Sequence, residues 1–285
     1  MGSLDTFVGL RSQLLSLAYR MLGASSDAED IVQEAWLRWQ DVDEAVVQNP
    51  RAWLNATVGR LCLDRLKSAQ HRRESYTGTW LPEPVVTDAP VDRESISIAF
   101  LVLLERLSPV ERAAFLMHKV FDYAHAEIAA ALDMSEAAVR QAYHRANGHL
   151  EANRPRFAPS EAEHARMLSA FSGALRAGDL SSLLGLLAED AALYADSGGK
   201  VRGAARRPVL GADRVARFLV GLLEHALVEP GISYAVQSIN GWPAFIIRRA
   251  DGSVFAIVNI ETDGEKIVAI RNLVNPDKLR LPTVN

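Results

Sequence analysis

The spacing of apolar residues predicts helices through the first half of the chain. Leu10, Leu14 and Leu17 fall on one face of a first helix, and SDAEDIVQEAWLRWQ continues the helical pattern in a second. Pro50 suits the first turn of a third helix, which runs through RAWLNATVGRLCLDRLKSA. Further helical patterns fill residues 93 to 153. The first half is therefore predicted to be all helical.

Beyond residue 160 the pattern changes. Helical patterns at 160–176 and 211–227 bracket a short strand-like stretch, AALYAD. Four strand-like runs follow (ISYAVQSI, AFIIRRA, SVFAIVNIE and EKIVAIRNLV), with Asp251-Gly252 and Asp263-Gly264 at two of the turns between them. Helices followed by a meander of antiparallel strands predict an α+β domain, with the helices packed on one face of a curved sheet.

Two segments rich in turn residues, YTGTWLPEP and NRPRFAPSE, divide the chain. The predicted organisation is a helical domain at 1–73, a linker at 74–92, a helical domain at 93–153, a short linker at 154–159 and an α+β domain at 160–285. Trp80 and Leu81 are unexpected in a linker, because linkers carry few large apolar side chains. We expect the pair to anchor the linker on another surface.

Composition narrows the class of protein. With 285 residues, 49% hydrophobic and 23% charged, the chain has the profile of a soluble globular protein. Its single cysteine, Cys62, excludes an internal disulfide framework and fits a reducing cytosol. No apolar run approaches eighteen residues, so the sequence predicts neither a membrane span nor secretion. We expect a cytoplasmic protein without membrane contact.

The net charge of −4 hides two basic segments. Residues 50–73 hold six basic residues against one acidic, and residues 139–156 hold four against one, whereas residues 1–49 hold three against eight. Localised positive charge suggests contacts with phosphate groups. A solvated helix face would show the same excess, so charge alone leaves both interpretations open.

The segment YAHAEIAAALDMSEAAVRQAYHRANGHL has the pattern of a DNA-reading helix-turn-helix. Ile128 and Leu132 point inward, Ala129 permits close helix packing, and Ser135 can cap the second helix. Asp133 stands at the turn position that most such motifs give to glycine, and it tolerates the left-handed conformation. The outer face of the second helix offers base- and phosphate-binding side chains: Glu136, Arg140, Gln141, His144 and Arg145. An amphipathic hairpin with a charged solvent face is the alternative.

Two longer segments carry a resemblance to a known family. AYRMLGASSDAEDIVQEAWLRWQ with NPRAWLNATVGRLCLDRLKSAQHRR resembles region 2 of sigma-70-type initiation factors, of the extracytoplasmic-function group. LSPVERAAFLMHKVFDYAHAEIAAALDMSEAAVRQAYHRA resembles region 4 of the same group. The two segments occur in the family's order on both sides of the linker, which is more specific than the helix-turn-helix alone.

The resemblance implies that the chain binds the RNA polymerase core, at its β′ clamp and β flap, and promoter DNA. The residues implied at the β′ clamp are Asp27, Glu29, Asp30 and Glu34. Those implied at the −10 element are Arg51, Asn55, Arg60, Asp64, Arg65 and Lys67. Those implied at the −35 element are Glu136, Arg140, Gln141, His144 and Arg145. Initiation factors bind and do not catalyse, so neither enzymatic activity nor a cofactor or metal is expected.

Residues 160–285 resemble the SnoaL-like branch of the nuclear-transport-factor-2-like fold, a cone of helices wrapped by a bent sheet. Because this fold also hosts cyclases and isomerases, acid–base groups must be considered. The candidates are Asp196, Tyr194, His164, His225, Tyr234 and Trp242, and their spacing forms no recognisable catalytic set.

A narrower resemblance is to sigma factors with a fused SnoaL-like domain, which carry a WLPEP linker, a DGGGK loop and an NPDKL tail. The first motif is Trp80, Leu81, Pro82, Glu83 and Pro84; the second is Asp196, Gly198, Gly199 and Lys200, with Ser197 in place of a glycine; the third is Asn275, Pro276, Asp277, Lys278 and Leu279. In that group the fused domain regulates the sigma domains, and we hypothesise that the linker docks near the DSGGK loop, an intramolecular contact between the C-terminal domain and the sigma domains.

Two other functions stay open at this point. A helix-turn-helix regulator with a ligand-sensing C-terminal domain would leave the acidic and basic N-terminal helices unexplained. A bifunctional protein would retain cyclase- or isomerase-type chemistry in the cone.

Overall fold

The computed structural model describes residues 3–43, 46–74, 76–87, 93–153, 159–226 and 231–279. The chain divides into two compact units: residues 1–74 with 100–154 form a helical unit, and residues 75–99 with 155–284 form a C-terminal unit that includes the linker. No helix in the described part of the chain is both long enough and apolar enough to span a membrane.

The helical unit begins with three long helices. These are α1 (Ser3–Leu22), α2 (Ser25–Gln40) and α3 (Pro50–Glu74), which pack on one another. Leu14, Leu17, Trp39 and Leu54 are fully buried among them, as the helical spacing predicts.

The next elements along the chain are α4 (Arg93–Ile96), which lies in the C-terminal unit, and α5 (Ile98–Leu104), which leads back into the helical unit. They are followed by α6 (Pro109–Phe115), a π-helical turn (Leu116–Val120), α7 (His125–Leu132) and α8 (Glu136–Asn153). The predicted helix-turn-helix is formed by α7 and α8. Asp133 ends α7 in the left-handed conformation, with φ of 54°, and the Ser135 hydroxyl accepts a hydrogen bond from Ala138 N at 3.2 Å, which caps α8. Ile128 and Val139 are fully buried between them.

The C-terminal unit packs helices against one six-stranded sheet. Its elements are α9 (Glu161–Ala177), α10 (Leu180–Leu186), β1 (Leu187–Asp196), β2 (Val209–Leu210), α11 (Ala212–Ala226), β3 (Ser233–Ile239), β4 (Trp242–Arg248), β5 (Val254–Thr262) and β6 (Ile267–Leu273). The strand order is β2-β1-β6-β5-β4-β3. The multidomain class, helical modules followed by an α+β domain, is confirmed.

One feature of the sheet was not predicted. β1 pairs with β6 in parallel while the other neighbours are antiparallel, so the sheet is mixed. The strand-like AALYAD is the second half of β1, which pairs with β6 at the far end of the meander. Phe171, Leu183, Val215 and Ile270 are buried in the core between helices and sheet.

Candidate functional site

The face of α3 predicted for the −10 element is partly covered by the helix-turn-helix. Asn55 is fully buried, and its side-chain amide donates to Arg51 O at 2.8 Å. The Tyr123 phenol lies beside both residues: burial raises its pKa, while Arg51 and Asn55 act to lower it. A Cβ added at Gly59, one turn further along, would lie 3.5 Å from Met117 Sδ and 3.6 Å from Leu132.

Arg60 completes this α3–α7 contact. Its guanidinium donates from Nε to Ala131 O, and from Nη2 to Ala130 O at 3.0 Å. These carbonyls lie in the last turn of α7, where the helix dipole favours a cation. Arg60 therefore caps a helix of the DNA-reading motif, although the side chain itself is exposed.

The remaining −10 candidates lie elsewhere on α3. Asp64 and Lys67 are exposed and approach each other at 3.8 Å. Arg65 lies 3.6 Å from Asp27 and 3.7 Å from Asp30 of α2, so it faces the acidic helix. The structure does not bring all six candidates onto one accessible surface.

The acidic face of α2 is open to solvent. Glu29, Asp30 and Glu34 are exposed, and Glu34 pairs with Arg38 at 2.7 Å. The opposite face packs: Ile31 is buried, and the ring of Trp36 lies 4.8 Å from that of Phe7. The ring centroid of Trp53 lies 5.2 Å from that of the buried Trp39, so this indole packs within the helical unit.

The outer face of α8 presents the −35 candidates, of which Gln141 and His144 are exposed. Arg140 pairs with Glu136 at 2.5 Å on the same face. Arg145 instead reaches α6 and donates to Glu111 Oε1 at 2.7 Å. Burial would raise the pKa of Glu111, but hydrogen bonds from Arg145 and Ser108 hold it below its ordinary value.

The linker docks on the C-terminal domain through the carboxylate of Asp196, at the end of β1. This fully buried group accepts hydrogen bonds from Tyr76 Oη at 2.5 Å and from Leu81 N at 2.8 Å. It also accepts from Gly198 N at 3.1 Å and pairs with Lys278 Nζ at 2.8 Å. We call Asp196, Tyr76, Leu81, Asn275 and Lys278 the Asp196 cluster.

Lys278 ties the tail to both the loop and the linker. Its ammonium group donates to Leu81 O at 2.6 Å and lies 4.2 Å from the Trp80 ring centroid and 5.2 Å from that of Tyr76. An ammonium enclosed by two aromatic rings and a carboxylate is compensated for the loss of water. The Trp80 ring therefore covers a buried cation of the tail.

Asn275 completes the cluster. Its amide donates to Tyr76 Oη at 2.8 Å. Burial, followed by the hydrogen bond to Asp196, raises the pKa of Tyr76, so this phenol stays protonated as a donor. Gly198 has φ of 56°, and a Cβ there would lie 2.7 Å from Asn275 Nδ2, so this loop position requires glycine.

Other residues of the three motifs surround the cluster. Leu81 is 2% exposed, Pro82 and Pro84 are buried, and Glu83 and Leu279 are partly buried. Lys200 and Asp277 form an exposed ion pair. Gly199 lies against Thr77, since an added Cβ would be 3.0 Å from its Cγ2. Pro276 is exposed.

A second docking point, at Asn240, was missed from the sequence. The Asn240 side chain accepts from Val85 N at 3.1 Å and donates to Ile96 O at 2.8 Å, while its backbone N donates to Val85 O at 2.9 Å. Thr87 N donates to Ser238 O at 3.2 Å, beside the Val86–Ile239 bridge. The linker thus forms an isolated antiparallel bridge beside the end of β3. From the sequence, INGW at 239–242 indicates only a hairpin turn. Tyr76 was also given no role, because it lies in the predicted linker.

The acid–base candidates do not converge. Residues that pair across neighbouring strands lie on the same face of a sheet. Tyr194 pairs with Arg271 and Tyr234 pairs with Ile247, and the strand register places these two pairs on different faces. The His164 ring contacts Ile260 O at 3.2 Å and the Trp242 ring at 5.0 Å, and burial lowers its pKa. The side chain of His225 lies outside the described part. In that part no three His, Cys, Asp or Glu side chains group into a metal site.

Comparisons with known proteins identify the family to which this chain is similar. The family model "Sigma-70 region 2" matches residues 7–72, and "Sigma-70, region 4" matches residues 97–150. The chain is 42% identical to the "ECF RNA polymerase sigma factor SigJ" of Mycobacterium tuberculosis (strain ATCC 25618 / H37Rv), in an alignment covering 95% of this chain and 91% of the relative. It is 32% identical to the "Probable ECF RNA polymerase sigma factor SigI" of the same strain, covering 94% and 92%.

A solved structure extends the similarity to three dimensions. The crystal structure of M. tuberculosis extracytoplasmic function sigma factor SigJ aligns with a TM-score of 0.75 and 36% identity, covering 96% of this chain and 97% of that one. Helical and C-terminal parts are both included in that coverage.

Proposed function

The chain belongs to the extracytoplasmic-function family of RNA polymerase sigma factors, and from that premise we propose that its C-terminal domain controls promoter recognition through the docked linker. The observation that carries the proposal is the Asp196 cluster. One buried carboxylate joins the DSGGK loop, the linker and the NPDKL tail, which are the three motifs that the sequence singled out.

The physical basis is the reach of the linker. Released and fully extended, residues 74–92 would span up to about 60 Å. Docked at Asp196 and again at Asn240, residues 76–87 have one fixed path. Because this segment joins the two DNA-binding modules along the chain, docking restricts the separations at which they can bind together.

For RNA polymerase, we propose that the exposed carboxylates of α2 bind a basic surface of the β′ clamp. Glu29 and Glu34 are exposed, and Arg65 approaches Asp27 and Asp30 only at 3.6 and 3.7 Å. Exposed contacts of this length are weak, so a basic partner can replace Arg65. The β flap is the second polymerase contact that we expect.

At the −10 element, the proposed contacts need a rearrangement within the helical unit. Asn55 is fully buried and Arg60 caps α7, whereas Asp64 and Lys67 are already exposed. We infer that α7 leaves α3 before Asn55 and Arg60 contact DNA.

At the −35 element, α8 needs no comparable change. Glu136, Gln141 and His144 lie on its exposed face, and Arg140 can exchange its exposed pairing with Glu136 for a phosphate or base edge. Arg145 has a different role in the proposal: its bond to Glu111 fixes α8 against α6.

We further propose that the C-terminal domain binds rather than catalyses. Its most deeply buried carboxylate, Asp196, is engaged by four hydrogen-bond donors. The two candidate tyrosines lie on opposite faces of the sheet. Turnover of a cyclic ketone-like substrate by the purified chain would contradict this part of the proposal.

Run-off transcription with purified core polymerase tests the sigma activity directly. The full-length chain should support initiation from its promoters, whereas a helix-turn-helix regulator would not replace a sigma subunit. Absence of transcripts, with binding to promoter DNA intact, would contradict the proposal and favour such a regulator.

A further inference from the structure

The loop between β1 and β2 is the most positively charged segment of the C-terminal domain. Residues 197–212 contain Lys200, Arg202, Arg206 and Arg207 and no acidic residue. The rest of residues 159–285 holds ten basic and fourteen acidic residues. The loop is therefore a positive patch on an otherwise acidic domain, a charge pattern that orients a polyanion toward one site.

Three of these cations have no carboxylate partner within the described residues. Lys200 pairs with Asp277. Arg202, Arg206 and Arg207 are all exposed, and no ion pair involving them occurs in the part of the chain that the structure describes. Arg217, by comparison, is an exposed arginine of the adjacent α11 and pairs with Asp213 at 2.9 Å. The exposed arginine of α11 is thus neutralised by a carboxylate, whereas the three loop arginines can bind an external anion.

The loop is fixed beside the linker. A Cβ added at Gly78 would lie 3.8 Å from Arg206 Cα, and Gly199 packs against Thr77. The linker follows α3 directly in the chain and leads to region 4. The basic loop is therefore attached to the segment that joins the two promoter-binding modules.

We propose that Arg202, Arg206 and Arg207 bind the phosphate backbone of promoter DNA, which gives the C-terminal domain a sequence-independent DNA contact. Guanidinium groups form paired hydrogen bonds with phosphate oxygens. The loop is neither a helix nor a two-stranded ribbon that could enter the major groove, so the contact positions DNA and reads no bases. The proposal rests on the sigma activity proposed above.

The test compares two variants that each remove two positive charges from this domain. Arg206→Gln with Arg207→Gln changes the loop, and Arg166→Gln with Arg176→Gln changes exposed arginines of α9. Full-length chains in complex with core polymerase are bound to labelled promoter DNA over a series of salt concentrations. Each lost phosphate contact lowers the slope of log affinity against log salt by about 0.9, so the loop variant should lose about two units of slope and roughly tenfold in affinity. The α9 variant should match the unsubstituted chain.

Other outcomes separate the loop from its alternatives. Equal slopes for all three chains would overturn the proposal. The proposal would also be overturned if, in an assay without DNA, only the loop variant failed to bind core polymerase. That result would assign the loop to an acidic protein surface. If the complex of the unsubstituted chain binds no promoter DNA, the proposed sigma activity is contradicted, not the loop proposal. Salt-dependent binding of the whole chain to a random duplex then decides the loop proposal, since only a phosphate contact makes the loop variant differ.

Discussion

Two contacts in this chain, one within the helical unit and one within the C-terminal unit, are built from different interactions. At the α3–α7 contact, exposed Arg60 donates to neutral backbone carbonyls at a helix end. At the linker dock, the side chains of Asp196 and Lys278 are 0% and 9% exposed, and their charged groups pair at 2.8 Å. Hydrogen bonds that involve a charged group contribute about 1.5–3 kcal/mol, whereas removing one partner of a buried ion pair costs about 3–5 kcal/mol.

The difference indicates an order of events. In the function proposed above, the α3–α7 contact opens when the promoter binds, while the linker stays docked. Release of the linker needs a larger perturbation, such as a competing partner. The first contact is suited to opening in every initiation cycle, and the second to being set by a signal.

The largest effect is expected for Asp196→Asn. This change leaves Lys278 buried without its counter-charge and removes an acceptor for Tyr76 and Leu81, so it should cost about 3–5 kcal/mol or free the linker. Hydrogen exchange at Leu81 N and Val85 N measures it, and both amides should lose protection. Asp277→Asn, which breaks an exposed pair in the same tail, is the control and should change stability by less than about 1 kcal/mol. Equal effects of the two variants would contradict the assignment of Asp196.

Trp80→Ala should have an intermediate effect. The indole covers the Lys278 ammonium at 4.2 Å, and its loss should weaken the dock by about 1–3 kcal/mol. Linker protection should fall while the α3–α7 contact keeps its exchange rates. Trp80→Phe, which keeps an aromatic face, should retain part of the protection. Unfolding of the helical unit by Trp80→Ala would mean that the linker has a general structural role.

Gly59→Leu tests the α3–α7 contact. A leucine would project into Met117 and Leu132 and separate α7 from α3, whereas the Cβ of Gly59→Ala meets them at ordinary contact distance. We expect Gly59→Leu to expose Asn55 and to strengthen promoter binding in the absence of polymerase several-fold. Gly59→Ala should change little beyond helix propensity, up to about 1 kcal/mol in favour of folding. Weaker promoter binding by Gly59→Leu, with the fold intact, would refute a closed resting arrangement.

The smallest effect concerns Glu111 and Arg145. Because the pKa of Glu111 is lowered in the folded chain from its ordinary 4.5, its ionised form stabilises the helical unit above about pH 4.5, and this stability is lost as the pH falls through the lowered pKa. Glu111→Gln should reduce the rise in unfolding free energy between pH 3.5 and 6, measured by chemical denaturation. Glu136→Gln, which breaks an exposed pair on α8, should leave that rise unchanged.

Local pattern predicted local structure well. The spacing of Ile128, Leu132 and Val139, with Ser135 as a cap, yielded the helix-turn-helix because each signal acts within a few residues. Trp80 and Leu81 pointed to the linker as more than a spacer because large apolar side chains are costly in water.

Features that depend on long-range contacts were not predicted from the sequence. The parallel pairing of β1 with β6, the role of Tyr76 and the Asn240 docking point depend on contacts between residues far apart in the chain. The burial of Asn55 under region 4 belongs to the same class: helical spacing placed it on a face of α3, but spacing alone cannot show what covers that face.

The central claim is that docking of the linker at Asp196 sets promoter recognition. Run-off transcription with core polymerase should compare the full-length chain with Asp196→Asn and Asp277→Asn. We predict that Asp196→Asn changes transcript yield several-fold at equal core binding, and that Asp277→Asn does not. Unchanged yield from Asp196→Asn, in a chain whose Leu81 and Val85 amides have lost protection, would contradict the claim.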